Sequence, residues 1–296
     1  MFAAICMVSC YIVAVAIKVY PTEKSHSESD LAIFLPYTWG GDYHNNRQLQ
    51  EDLSLITGAL VIGAQTPGTG TLFVGRRTRK KLQPYRFANL AAEYAAEVSE
   101  YLQAEGRPRR LLVAQSGRVA LGAHMQLSPS RPFSHVLLRD GVNLMGQLTV
   151  VQGYRHLKAQ PGKGERRGTY EGEHKNPAHK VLDKLAMLHS YVEILTQGQT
   201  LCSDEPATAV TKLARDATTP MHHVTFANGI TGPRDKQQEF NTALGDIRHT
   251  SLPLGDGVPA QLLAQMETGN HADLLHVGLL STHIDRTLEL QPCRLT

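Results

Sequence analysis

Short unbroken apolar runs alternate with amphipathic stretches along most of this chain. Leu31-Ala32-Ile33-Phe34-Leu35 and Ala59-Leu60-Val61-Ile62-Gly63-Ala64 are continuously apolar, the pattern of strands buried on both faces of a sheet. Between them, Leu49, Leu53 and Ile56 recur at helical spacing over Arg47 to Thr57, with Gly58 as a stop. Strand, helix, strand at this spacing predicts a parallel sheet, because parallel neighbours need a long crossover. Asn89 to Ala104 is the clearest helix: Leu90, Tyr94, Val98, Tyr101 and Leu102 share a face, Asn89 stands where a cap belongs, and Gly106 with Pro108 ends it. Ser134 to Gly141 and His222 to Gly229 read as further strands, the second followed by a helix from Asp235 through Leu244. Thr250 to Leu254 reads as a weak last strand, and a helix runs from the Gly269–Leu275 loop through Leu290. Tyr11 to Tyr20, rich in β-branched and aromatic residues and stopped by Pro21, reads as a first strand.

The stretch Arg110 to Ala123 organises the rest. An apolar run, Leu111-Leu112-Val113-Ala114, meets Gln115-Ser116-Gly117 and then a small-residue helical run through Val119, Ala120, Leu121, Gly122 and Ala123. A serine held between a strand and a helix lies near backbone N–H groups that stabilise developing negative charge, which is where a nucleophile is useful. The other reading is that Ser116 caps the helix, a common use of serine. Arg118, two residues after Ser116, carries a long side chain that predicts crowding of the strand-to-helix contact.

At 296 residues the chain suits one α/β core carrying an insertion. Its net charge of +3 is too small to point to a polyanionic partner, and the basic clusters at Arg76–Lys81 and between Arg155 and Lys184 lack interleaved aromatics, so no nucleic acid is expected. The four cysteines have neither metal-ligand spacing nor disulfide density, which suits a reducing, cytoplasmic setting. The apolar run Phe2 to Ile17 leaves membrane association or export as the alternative. Gln65 to Leu72 contains a Gly-Thr-Gly turn like a phosphate-binding loop but no lysine after it, and no His-Glu-x-x-His spacing occurs, so neither a nucleotide cofactor nor a metal is expected.

Ala114-Gln115-Ser116-Gly117-Arg118 resembles the nucleophile elbow of the α/β-hydrolase fold, whose usual form is small-x-Ser-x-small. The strand and helix order over about residues 31 to 141 is similar too. The resemblance implies a mostly parallel sheet flanked by helices, with a core of residues 1–141 and 220–296 and an inserted helical cap at 142–219, which would include the helical stretch Ala178 to Thr196. It implies Ser116 as nucleophile, His271 as base, Asp235 as acid with Asp140 as the alternative, and oxyanion donors at Gly117 and at Tyr37 or Thr38. The expected activity is a serine hydrolase acting on a small carboxylic ester. The alternatives are a catalytically silent binding module, or a hydrolase of a thioester, amide or carbon–carbon bond.

Overall fold

The apolar runs are strands whose alternate side chains feed two separate cores. The computed structural model describes residues 17–20, 29–37, 43–64, 87–141, 206–216, 218–228, 234–250, 261–270, 273–274 and 276–290. In chain order the elements are β1 (Ile17–Tyr20), β2 (Leu31–Pro36), α1 (Tyr43–Thr57), β3 (Leu60–Ala64), α2 (Phe87–Ala104), β4 (Arg109–Gln115), a 3-10 turn (Ser116–Arg118), α3 (Val119–Gln126) and β5 (His135–Arg139). There follow α4 (Pro206–Asp216), β6 (Met221–Asn228), α5 (Arg234–Thr250), β7 (Leu262–Asn270) and α6 (Val277–Leu288).

The described strands form one seven-stranded sheet in the order β1-β3-β2-β4-β5-β6-β7. Only β1 runs antiparallel, pairing Ile17 with Ala64 and Tyr20 with Val61. The expected mostly parallel α/β sheet is therefore present, and the residues of Tyr11–Tyr20 that are described, Ile17–Tyr20, are a strand.

In β2, Ala32 and Phe34 face one way and Leu31, Ile33 and Leu35 the other; in β4, Leu112 and Ala114 oppose Leu111 and Val113. The first set packs with Tyr94 and Val98 of α2, Leu121 of α3, Val210 and Leu213 of α4, and Leu244 of α5. The second packs with Leu49 and Leu53 of α1 and Leu280 and Ile284 of α6. Helices on both faces explain why the strands read as continuous apolar runs.

Three sequence expectations need correction. Asn89 does not start its helix, which begins at Phe87. Thr250 ends α5 instead of opening a strand, the rest of that expected strand, 251–254, lies outside the described residues, and the last described strand is Leu262–Asn270. That strand pairs on its described side with β6 alone, and its residues 262–267 are half-buried, so it carries no unbroken apolar run to read. Within 142–219, the final helix α4 joins the core through Ala209, Val210 and Leu213, against α3 and α5, which leaves 142–205 as the segment between β5 and the next core element. The stretch Ala178 to Thr196, the loop Gln65–Leu72, both basic clusters, the four cysteines and most of Phe2–Ile17 lie outside the described residues.

Candidate active site

In an open parallel sheet, the crevice for a ligand lies at the carboxyl edge where successive connections depart to opposite sides. Here β3 lies on one side of β2 and β4 on the other, so the switch point falls between the ends of β2 and β4. Tyr37 follows β2, and Ser116 follows β4.

The backbone changes direction abruptly at Ser116. Gln115 is extended at φ −125° and ψ 148°, Ser116 has φ 54°, and a 3-10 turn begins at once. A left-handed conformation in a residue other than glycine is sterically costly and persists where surrounding structure imposes it, often at functional sites. Ser116 is partly exposed, whereas Gln115 before it and Arg118 after it are buried. Ser116 is the first residue of the turn, and the residue flanking the turn is Gln115, so the helix-cap reading does not describe this serine. Gly117 is the second residue of the turn, where helical N–H groups lack partners within the helix.

The expected crowding at Arg118 does not occur. The close strand-to-helix approach is made by Gly122 instead: a Cβ there would stand 2.7 Å from the Ala114 Cβ and 2.9 Å from the Leu112 Cδ2. Arg118 turns aside, is 4% exposed, and donates from Nε to the Tyr37 carbonyl at 2.7 Å. The Tyr37 N–H donates to the Ala64 carbonyl at 2.9 Å, so the start of the β2 loop is held from both ends. Burial pushes the Tyr94 hydroxyl far above its ordinary pKa, with the Arg118 guanidinium acting in the opposite direction.

Asp140 repeats the geometry of Ser116 one strand over. Gln115 pairs with Arg139 in parallel register, so Ser116 and Asp140 leave neighbouring strands at the same level. Asp140 also has positive φ, at 44°. It is fully buried, donates its N–H to the Val224 carbonyl at 2.8 Å, and lies with Oδ1 3.4 Å from the Phe226 N–H. Asp235, by contrast, is exposed in the first turn of α5, where its charge complements the helix dipole.

Arg139 is wholly buried and was not foreseen as part of this edge. Its Nη1 donates to the Leu274 carbonyl at 3.0 Å and its Nε to His283 Nδ1 at 3.1 Å, and its guanidinium lies over the Phe226 ring. Burial pulls its pKa down to about 9 while the Asp140, Asp273 and Glu267 carboxylates act to raise it, so it is charged at neutral pH. The signal in the sequence was a charged residue inside an otherwise apolar strand, Val136-Leu137-Leu138-Arg139. His271 follows the last residue of β7, and both it and Thr38 lie outside the described residues. Among the described residues no cluster of His, Cys, Asp or Glu has the geometry to hold a metal ion, and no helix is long and apolar enough to cross a membrane.

No protein-family model and no curated protein sequence matches this chain. Solved structures match over nearly its full length. A hydrolase from Oleispira antarctica aligns with TM-score 0.53 at 13% identity, covering 91% of this chain and 94% of that one. The thioesterase domain from the curacin biosynthetic pathway gives TM-score 0.53 at 10% identity, with the same coverage of each chain. A membrane phospholipase A, described as a bacterial virulence factor, gives 0.52 at 12% identity, covering 97% of this chain and 91% of that one.

Proposed function

We propose, from the premise that this chain has the α/β-hydrolase fold, that it is a serine hydrolase that cleaves a small carboxylic ester through an acyl-enzyme. The observation that carries this reading is Ser116 at φ 54° in the abrupt turn out of β4, at the switch point between β2 and β4. Candidate residues leave the same edge of the sheet: Ser116 after β4, Asp140 after β5 and His271 after β7. Their chain order of nucleophile, acid, base is the order this fold uses.

In this mechanism His271 accepts the Ser116 hydroxyl proton as Oγ attacks the ester carbonyl carbon. The carbonyl π bond opens to an oxyanion, which accepts hydrogen bonds from the N–H of Gly117 and from that of Thr38, since the N–H of Tyr37, the other expected donor, is engaged by the Ala64 carbonyl. Collapse breaks the ester C–O bond, and the imidazolium passes its proton to the departing alcohol. Water, deprotonated by the same imidazole, then attacks the acyl-serine and releases the acid. Asp140 is the preferred acid over Asp235, because orienting an imidazole needs a carboxylate fixed by its surroundings, and Asp140 is buried and held whereas Asp235 is exposed. The segment 142–205, which follows β5 in the chain, is assigned the substrate-covering role, excluding water during acyl transfer.

Hydrolysis of p-nitrophenyl butyrate by the full chain tests the reading. The wild type turns over, and Ser116→Ala and His271→Ala, both folded by circular dichroism, lose about 10³-fold or more in kcat. Undiminished turnover by Ser116→Ala contradicts it.

A further inference from the structure

Arg107, Arg109 and Arg110 gather at the amino end of β4, the edge of the sheet opposite Ser116. Seven residues of strand at about 3.3 Å each put roughly 20 Å between this cluster and the serine turn. Arg107 is 8% exposed, and its Nη1 donates to the Ser29 carbonyl. Its buried Nε has no hydrogen-bond partner among the described residues. Arg110, half-buried, donates from Nε to the Arg107 carbonyl at 2.9 Å, so its guanidinium stands against the Arg107 backbone. Arg109 pairs with Leu31 in parallel register and lies with Nη1 3.8 Å from Asp30 Oδ2. Arg107 and Arg110 thus hold carbonyl groups only, and among the described residues no carboxylate lies within ion-pair distance of either.

An arginine does not shed its proton, so a guanidinium out of water needs a counter-charge, and a backbone carbonyl supplies only a partial one. Water serves half-buried Arg110, but Arg107 is out of water with a donor to spare. Asp30 is exposed and lies against Arg109. Two positive charges are left over, one each from Arg107 and Arg110. A phosphate group at about −1.5 to −2 matches them, whereas a carboxylate answers only one. We propose that the amino end of β4 is a second ligand site, in which Arg107 and Arg110 bind a phosphate group. The site lies beyond the hydrolase reading and does not rest on it.

The full chain and its Arg107→Met and Arg110→Met variants are melted in inorganic phosphate and in chloride at matched ionic strength. A ligand that binds only the folded state stabilises it by mass action. At about ten times its Kd, phosphate is expected to raise the wild-type melting temperature by about 3 °C, with no such rise in chloride. Each variant loses most of that rise. Arg107→Lys, which keeps the charge without the planar fork, retains part of it. If Arg107→Met does not fold, Arg110→Met carries the test. Sedimentation with vesicles of phosphatidylcholine and phosphatidic acid separates the two sources of such a group. Vesicle binding that the variants lose assigns a lipid headgroup, and a melting response without vesicle binding assigns a soluble phosphate compound. A wild type that responds to neither probe, or a response unchanged in the folded variants, overturns the inference. Neither readout uses turnover, so an inert wild type overturns the hydrolase reading and leaves this one standing.

Discussion

Arg139 donates from Nε to Nδ1 of His283 at 3.1 Å, with both side chains out of water. An arginine has no acceptor, so His283 Nδ1 must be the unprotonated nitrogen and the ring proton sits on Nε2, 3.4 Å from Glu267 Oε1. The same guanidinium holds the Leu274 carbonyl, three residues beyond His271, and stands beside Asp140 in the chain. Arg139 thus ties the end of β5 to α6 and to Leu274. Arg139→Met would remove a buried positive charge that acts on Asp140, Asp273 and Glu267, and is expected to destabilise the fold by about 3 kcal/mol. Urea unfolding measures this, and a loss under about 1 kcal/mol would show that apolar packing replaces the network.

Stability should fall on acidification because of three buried histidines. Burial, before the Arg139 charge, pushes His283 down to about 3, and burial pushes His222 and His223 down to about 4 against their hydrogen bonds to the His283 carbonyl, Gln265 and Asn241. Above pH 6.5 these groups are neutral folded or unfolded and contribute no pH dependence. Below it the unfolded chain takes up protons that the folded chain refuses, so stability drops from pH 6.5 down to about pH 4, and for His283 to about pH 3. Each histidine contributes up to about 1.4 kcal/mol per pH unit. Urea midpoints at pH 7, 6 and 5 should decline, and His283→Gln, whose amide can accept from Arg139, should flatten the slope. A midpoint that is flat from pH 7 to 5 contradicts this.

Gly122→Ala tests the close packing behind the serine turn. Alanine in place of a helical glycine ordinarily stabilises by about 1 kcal/mol. Here the added carbon meets the Ala114 Cβ at 2.7 Å, on backbone that also positions Ser116, so a loss of about 1–3 kcal/mol is expected, read by urea unfolding. A gain in stability would mean that α3 does not press on β4.

The two carboxylates are separable by mutation. Asp140→Asn should lower kcat on p-nitrophenyl butyrate by about 10³- to 10⁴-fold, the scale of losing the group that sets the base's tautomer. Asp235→Asn, at an exposed helix start, should stay within about twofold. The reverse pattern would make Asp235, in the first turn of α5, the acid.

The parallel sheet was legible because burial on both faces leaves runs such as Leu31–Leu35 and Ala59–Ala64 with no polar interruption. β7 was not, since half-buried Gln265 and Glu267 and exposed Thr268 break any run. Ser116 stands out as a candidate from local pattern alone, whereas the preference between Asp140 and Asp235 depends on burial, which no spacing encodes. Arg118 looked like an obstruction for a related reason: a 3-10 turn between β4 and α3 shifts the helix phase, so the residue that meets the strand is Gly122 and not position 118.

Fluorophosphonate labelling followed by intact-mass and peptide analysis tests the central claim most directly. An activated serine displaces the fluoride and keeps the phosphonyl group. The account predicts a single adduct on the wild type, located on the peptide containing Ser116 and absent from folded Ser116→Ala and His271→Ala. No adduct on the folded wild type, or one located on another residue, would contradict it.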